Sequence, residues 1–369
     1  MRVLIVPDKF KGTLTAHAAA AAIARGWRSS RPGDHLEVLP MSDGGDGFGA
    51  VNSAILGART QTVHTVDAAH RPCAASWWWE PKSKTAIIES AGIIGLAQLP
   101  PGKFHPFQLD TFGLGAVIRA AAAKGAWRCL VGIGGSATND AGFGLARALG
   151  WEFRDRAGNA ITSWTGLHAL AKIIPPVRRR WFAETVVAVD VQNPLLGRQG
   201  CTRIYGPQKG IKPREFGVAE KNLRRLAAVA QKQFHRDYAA QAGVGAAGGL
   251  GFGFRCFLGA TLQPGFDLFA RQAGLAQRLR AADLVITGEG ALDQSSLMGK
   301  GVGEVARLCK KSDVPCLGLA GTVLAPGRAS KYFVQAHGLT DLTSARQAKA
   351  KPAFWLERLS QKIARDWKP

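Results

Sequence analysis

Acidic side chains are scarce in this chain: 26 Asp and Glu stand against 48 Lys and Arg, a formal net charge of +22 over 369 residues. Such an excess can attract polyanions. Yet no nucleic-acid module accompanies it, neither a paired Cys/His spacing nor an aromatic RNA-binding signature. The positive residues are scattered, with short runs at Arg178-Arg179-Arg180 and Lys310-Lys311, so a diffuse basic surface without a specific nucleic-acid partner is expected. Long apolar runs are lacking too. MRVLIVPD is broken at Pro7, and the alanine-rich stretch Ala18 to Ala24 falls far short of a membrane span, so neither export nor a membrane partner is expected. The six cysteines, at 73, 129, 201, 256, 309 and 316, form no C-x-x-C pair. Cys129 and Cys316 fall inside apolar strand-like runs, which points to buried free thiols and a cytoplasmic location. The histidines show no metal-ligand spacing, which argues against zinc chemistry, and no obvious nucleophile partner for a hydrolase triad. No Walker A sequence occurs either: Gly299-Lys300 is followed by Gly301, and Gln294 occupies the first glycine position.

What is abundant is glycine, 45 residues of it, much of it clustered at the ends of apolar runs in a chain that is 46% apolar and 20% charged. That pattern predicts an α/β protein with functional loops, and the length suits two domains. Val3 to Val6 reads as a buried strand, followed by a helix from about Thr15 to Trp27 with Thr15 as N-cap, then a strand at Glu37 to Leu39. Gln61 to Val66, Cys73 to Trp79 and Thr85 to Ile88 read as successive strands without helices, a mixed or antiparallel texture. Parallel texture returns after Ala282, with strands at Leu284 to Thr287 and Val314 to Leu319 around a helix from Gly299 to Lys310, and a short strand at Tyr332 to Val334. The expected fold is therefore α/β in two domains. A doubly wound, flavodoxin- or Rossmann-like parallel-sheet domain comes from both chain ends (1–60 plus 283–369), and a mixed α/β domain (61–282) is inserted in it. The active site is expected in the cleft between them.

Four loops share one design, glycine beside acid, hydroxyl or lysine at the end of a strand-like run. In the first, Asp8, Lys9, Lys11 and Thr13 precede the first helix, and Lys11 is placed where a helix N-terminus favours an anion. In MSDGGDG, Asp43 and Asp46 form a carboxylate pair suited to magnesium or hydroxyl groups. In VDVQNPLLG, Asp190 is placed to orient or deprotonate a hydroxyl, with Asn193 beside it. In TGEGALD, Glu289 and Asp293 flank a turn, and Gly299-Lys300 could offer a cation. The strongest segment is RCLVGIGGSATNDAGFG. Gly134, Gly135 and Ser136 can approach a phosphate, Thr138 and Asn139 add polar groups, and Asp140 supplies a carboxylate for a phosphate-bound metal.

Gly132 to Ala137 also fits G-x-G-x-x-A after a strand, with Glu152 at the distance of a ribose-binding acid. An NAD(P)-dependent dehydrogenase is therefore the alternative. Against it, Thr138-Asn139-Asp140 puts polar groups where a dinucleotide-fold helix would pack, and Trp151 to Ile161 reads as a hairpin.

Taken in order, PDKFKGT, MSDGGDG, GIGGSATNDAG, DVQNPLLG, YGPQKG, GAAGGLG and DLVITGEGALD make the chain resemble the bacterial type I glycerate kinase family from end to end. The resemblance implies an ATP-dependent kinase that phosphorylates D-glycerate, typically at the 2-hydroxyl, using Mg²⁺; a kinase for a different small hydroxy acid is the nearer alternative. Departures from the family pattern are Lys9 for serine, Asp46 for glutamate, Ala141 for glycine, Gln192 for aspartate, Ala291 for arginine and Gly301 for proline. From residue chemistry, the expected roles are Asp190 as base, with Lys11 and Asp43 also catalytic. Asp8, Lys9, Asn193 and Glu289 are expected on substrate, Gly134, Gly135, Ser136, Thr138 and Asn139 on the nucleotide, and Asp140 and Asp293 on the metal.

Overall fold

The computed structural model describes residues 1–293, 296, 301–324 and 326–368. It separates into two compact units, 1–43 with 266–369, and 44–265.

In chain order the first unit opens with β1 (Arg2–Pro7), α1 (Ala16–Ser30) and β2 (His35–Val38). Thr15 caps α1 as expected, its side chain accepting from the Ala18 amide at 3.1 Å. The second unit contains α2 (Phe48–Leu56), β3 (Arg59–Val66), β4 (Pro72–Glu80), β5 (Thr85–Glu89), α3 (Ala91–Ile94) and α4 (Leu114–Ala123). It continues with β6 (Arg128–Gly132), α5 (Phe143–Ala148), β7 (Glu152–Arg154), β8 (Lys172–Ile174) and β9 (Glu184–Val189). It ends with α6 (Cys201–Lys209), α7 (Phe216–Phe234), α8 (Ala246–Leu258) and β10 (Thr261–Pro264). The chain then completes the first unit with α9 (Gly265–Gln272), α10 (Leu275–Arg280), β11 (Leu284–Leu292), α11 (Gly301–Lys311), β12 (Cys316–Val323), α12 (Pro326–Ala329), β13 (Gln335–Gly338), α13 (Ala345–Ala350) and α14 (Pro352–Asp366).

The sheet of the first unit is all parallel, in the order β13-β12-β11-β1-β2. Counting only this unit's strands, that is the flavodoxin-type order, which reverses direction between β1 and β11. Its core gathers Ile5, Ile23, Trp27, Ile286, Leu317 and Leu356. Gly26 brings α1 and α14 into close approach, since a β-carbon there would meet the Glu357 carbonyl oxygen at 2.1 Å.

The second unit carries a six-stranded sheet, β10-β9-β6-β5-β4-β3, parallel from β10 to β5 and antiparallel from β5 to β3. Helices pack over it on a core that includes Ile88, Val131, Phe143, Trp164, Leu223 and Phe254.

The unit boundaries differ from the sequence expectation. Residues 44–60 go with the second unit because α2 is bolted to its sheet: the Glu89 carboxylate accepts from the Gly47 and Gly49 amides at 3.0 and 2.8 Å. Residues 266–282 go with the first, where Arg278 pairs with Glu37 and the Asp283 amide donates to the Arg2 carbonyl at 2.9 Å. β13 lies just beyond the strand expected at Tyr332 to Val334. The expected 151–161 hairpin reduces to a tight turn with a single bridge, Arg154 to Ala160, while β7 pairs with β8.

Candidate active site

In the first unit, the candidate side chains Asp8, Asp43 and Glu289 collect toward the carboxyl ends of β1 and β11, on either side of the point where strand order reverses. That is where open α/β sheets bind ligands. Asp8 leaves β1 with its amide donating to the Gly288 carbonyl at 2.8 Å. The chain after β2 stays beside β1, with the Met41 amide on the Pro7 carbonyl at 2.9 Å, and this carries Asp43 toward Asp8. Glu289 belongs to β11. Burial pushes the Asp8 carboxyl up to about 7, and the charge of Asp43 adds to the rise. The Lys9 ammonium opposes it, as does the Lys9 amide, which donates to Asp8 Oδ1 at 2.7 Å, and Glu289 adds a smaller push upward.

Two expectations change here. Glu289 and Asp293 do not flank a turn, because β11 runs unbroken to Leu292 beside β12, with Glu289 opposite Ala320. Gly288 permits that approach, since a β-carbon on it would sit 2.0 Å from the Leu319 carbonyl oxygen. Asp293 instead accepts from the Ser296 amide at 2.9 Å. Lys11 is exposed on a tight turn closed by the Leu14 amide on the Phe10 carbonyl at 2.9 Å, and Thr15 already satisfies an α1 amide. Gly299 and Lys300 lie outside the described residues.

In the second unit the segment 133–142 follows β6 and is held by backbone contacts on several sides. The Gly134 amide donates to the Gly44 carbonyl at 3.2 Å, the Leu96 amide to the Gly135 carbonyl at 2.9 Å, and the Ala137 amide to the Ile94 carbonyl at 2.8 Å. Gly135 holds φ +76°. The Ala141 amide donates to the Gly248 carbonyl at 3.1 Å. Gly135 presents backbone to the surface and Gly134 is half-buried, whereas Ser136 is 5% exposed and Thr138, Asn139 and Asp140 are fully buried.

That burial corrects three expectations. Asp140 uses both carboxylate oxygens internally: Oδ2 accepts from the Thr111 amide (2.9 Å), the Thr111 hydroxyl (2.8 Å) and the Gly144 amide (2.9 Å), and Oδ1 from the Gly142 amide (3.2 Å). It anchors the loop and is not open to a metal. Burial raises its carboxyl to about 6, with Asp110 adding to the rise and those donors opposing it. Thr138 and Asn139 lie beneath the loop instead of on its face. The Asn139 amide group donates to the Thr202 hydroxyl at 3.0 Å, while Thr138 Oγ1 and Asn139 Oδ1 have no hydrogen-bonding partner among the described residues.

Asp190 follows β9 and is exposed. Asn193, three residues on, is a brace: Tyr205 donates to its Oδ1 at 2.5 Å, and its Nδ2 donates to the Gln199 carbonyl at 2.8 Å. Burial raises the Tyr205 phenol to about 12, and the charge of Asp190 adds to the rise. Asp43 and Asp46, expected as a pair, have different neighbours. Asp46 Oδ1 lies against Gly135, and Asp43 against Asp8.

A model of the glycerate kinase family matches residues 3–368. The chain belongs to that family. It is 36% identical to the glycerate kinase of Bacillus subtilis (strain 168) over 99% of this chain and 97% of that protein. It is 37% identical to the glycerate 2-kinase of Escherichia coli (strain K12), over 87% and 85%. A crystal structure assigned as glycerate kinase 2 from Salmonella typhimurium LT2 superposes with a TM-score of 0.82 at 32% identity, covering 99% of this chain and 97% of that one. As a glycerate kinase family member the chain is a phosphotransferase with an alcohol group as acceptor, taking a small molecule and a nucleotide.

The dehydrogenase alternative loses its structural context. No helix opens within 132–137; α5 begins at Phe143, and Glu152 lies on the short β7. Among the described residues no helix is long and apolar enough to cross a membrane, and all six thiols are free, Cys129 and Cys316 among the buried ones.

The structure also brings forward residues that the sequence motifs did not single out. Lys209 closes α6 beneath the glycine-rich loop, Thr111 holds Asp140, Glu89 holds the 47–49 turn, and Tyr205 holds Asn193. Only YGPQKG, among the motifs in the sequence, pointed toward Tyr205 and Lys209. One departure from the family pattern carries a visible cost: Ala141 sits at φ +53°, where glycine is at ease.

Proposed function

We propose that this family member transfers the γ-phosphoryl group of ATP to the 2-hydroxyl of D-glycerate with Mg²⁺ present. The observation that supports this most directly is the exposed Gly135 backbone, backed by the buried ammonium of Lys209. Backbone N–H groups and a nearby cation suit phosphate oxygens, and phosphoryl transfer depends chiefly on positioning and charge neutralisation.

Asp190 is the proposed group that receives the acceptor's proton, being an exposed carboxylate at a strand's carboxyl end, with Tyr205 and Asn193 fixing the loop behind it. Asp8, Lys9 and Glu289 are proposed on the glycerate, with Lys11 and Asp43 in support. The metal has hard oxygen donors to choose from. Among the described residues no three His, Cys, Asp or Glu side chains group closely enough to form a metal cage; magnesium is commonly held by one or two carboxylates together with substrate phosphates. Asp43 and Asp293 are the proposed ligands. When bound, magnesium would neutralise phosphate charge.

The test is ADP release coupled to D-glycerate, tartronate semialdehyde and hydroxypyruvate in turn, with the phosphorylated position read by NMR. ADP release that requires D-glycerate and Mg²⁺, with phosphate on carbon 2, is expected. Phosphate on carbon 3, or turnover with another acceptor but not D-glycerate, would overturn the assignment.

A further inference from the structure

Lys209 is an unusual residue to find inside a protein. It ends α6, is 7% exposed, and its ammonium donates to Ser136 Oγ at 2.9 Å and to the Thr138 carbonyl at 2.7 Å. An ammonium has three N–H donors, so one remains without a partner among the described residues. No carboxylate among them stands within ion-pair distance of it. Asp140 is near enough to act on its charge, but its oxygens are occupied by Thr111, Gly142 and Gly144.

Burying a charge without a paired counter-charge is costly, and a protein usually pairs it or lets it neutralise. Burial does lower this lysine, to about 8, while Cys201 and Asp140 hold it up. A methionine or leucine would fill the same space without that cost. What the lysine alone offers is a positive charge that touches the two loop residues flanking Ala137, just behind the Gly134-Gly135 backbone.

We propose that Lys209 is a positioning residue for the nucleotide: it fixes the 134–139 loop through Ser136 and Thr138, and its charge is offset when phosphate oxygens arrive on that loop. This rests on the reading of the loop as the nucleotide's phosphate site, and it deepens that reading by giving the buried Lys209 ammonium a specific role there. The absent counter-ion of Lys209 is, on this view, the ligand's own phosphate. Two packing features serve the same loop from behind. Gly248 is so close that a β-carbon on it would lie 1.9 Å from the Thr138 carbonyl oxygen, and Thr202 holds Asn139. Those fix shape only, whereas Lys209 adds charge.

The experiment compares wild type, Lys209→Met and Lys209→Gln by titration calorimetry with MgADP and with adenosine as separate probes. Steady-state KM values for ATP and D-glycerate and thermal unfolding midpoints accompany them. Expected are at least tenfold weaker MgADP binding and a similarly raised KM for ATP in both variants. Adenosine binding and the KM for D-glycerate should stay within twofold. Glutamine keeps a donor for the loop, so it preserves the fold if methionine does not, and a loss of affinity in that variant isolates the charge. If wild type binds MgADP and Lys209→Gln binds it equally well, the Lys209 proposal fails while the nucleotide reading stands. Equal losses for adenosine and MgADP would also overturn it, because a strut that merely shapes the pocket has no preference for phosphate. If wild type binds no MgADP, the nucleotide reading itself falls and takes this proposal with it.

Discussion

Asp46 Oδ1 occupies the space that a side chain on Gly135 would need: a β-carbon built there would stand 2.3 Å from it. Gly135 also holds φ +76°, a torsion that L side chains seldom adopt. Gly135→Ala should therefore displace Asp46 and strain the loop, destabilising the protein by about 1–3 kcal/mol. MgATP affinity should fall at least tenfold. Adding Asp46→Ala relieves the contact but not the torsion, so it should restore only part of the stability. Full recovery in the double variant, read by urea unfolding, would show that the torsion costs nothing.

Asp140 is the second case. A carboxylate that accepts four hydrogen bonds and has no exposed surface anchors structure, and its replacement by the isosteric amide leaves one acceptor oxygen for the three donors on Oδ2, weakens those bonds by removing the charge, and turns an N–H toward the Gly142 amide. Asp140→Asn should cost about 2–4 kcal/mol of stability, with the Mg²⁺ concentration for half-maximal activity changed less than twofold in the folded fraction. An unchanged unfolding midpoint with a tenfold greater Mg²⁺ requirement would return Asp140 to the role of metal ligand.

How much of this was legible beforehand follows from where the signal resides. The glycine-rich loops announced themselves because close backbone approach leaves glycine few substitutes, as Gly134 and Gly135 illustrate. The β1-α1-β2 start was equally legible, from a continuous apolar strand and a threonine cap. Lys209 was not, since a lysine in the last turn of a helix is the ordinary complement to the helix dipole, and nothing local says that this one faces inward. Asp140 misled for the opposite reason. An acid after small hydroxyl residues suits a metal as well as it suits a loop anchor, and only Thr111, 29 residues away in sequence, decides between them. The unit boundary was displaced because the link from Glu89 to the 47–49 turn is a long-range contact with no periodicity to reveal it.

Asp8 predicts a pH dependence whose sign can be worked out. Its carboxyl sits near 7 in the folded chain, against about 3.9 for an unfolded aspartate. The folded protein thus holds this proton more tightly than the unfolded chain does. The stabilisation is fully present below about pH 4 and is lost as pH rises through about 7. Asp8→Asn removes the titration. The difference in unfolding free energy between wild type and Asp8→Asn should therefore move against wild type as pH goes from 4 to 8, most steeply between about 5 and 6.5 and levelling off above about 7. A difference that stays constant over that range would mean that burial and the charge of Asp43 do not raise the Asp8 carboxyl in the folded chain.

Asp190 is the residue on which the proposed chemistry turns, and its surroundings make the prediction sharper than a simple loss of activity. It is exposed, so Asp190→Asn should leave the unfolding free energy within about 0.5 kcal/mol of wild type, as for surface changes generally. Removing a group that takes a proton in the transition state costs about 10²- to 10⁴-fold in kcat. The KM for D-glycerate should change little, because the Tyr205–Asn193 hydrogen bond that shapes the loop is untouched. Tyr205→Phe makes the converse change: it frees Asn193 Oδ1 and leaves the carboxylate in place, so KM should rise several-fold while kcat stays within about fivefold, as expected when binding is lost and transition-state chemistry is kept. Opposite patterns in the two variants would separate the proton acceptor from its support. If Asp190→Asn raised only KM, Asp190 would hold the acceptor, and Asp43 would become the next carboxylate to test as base.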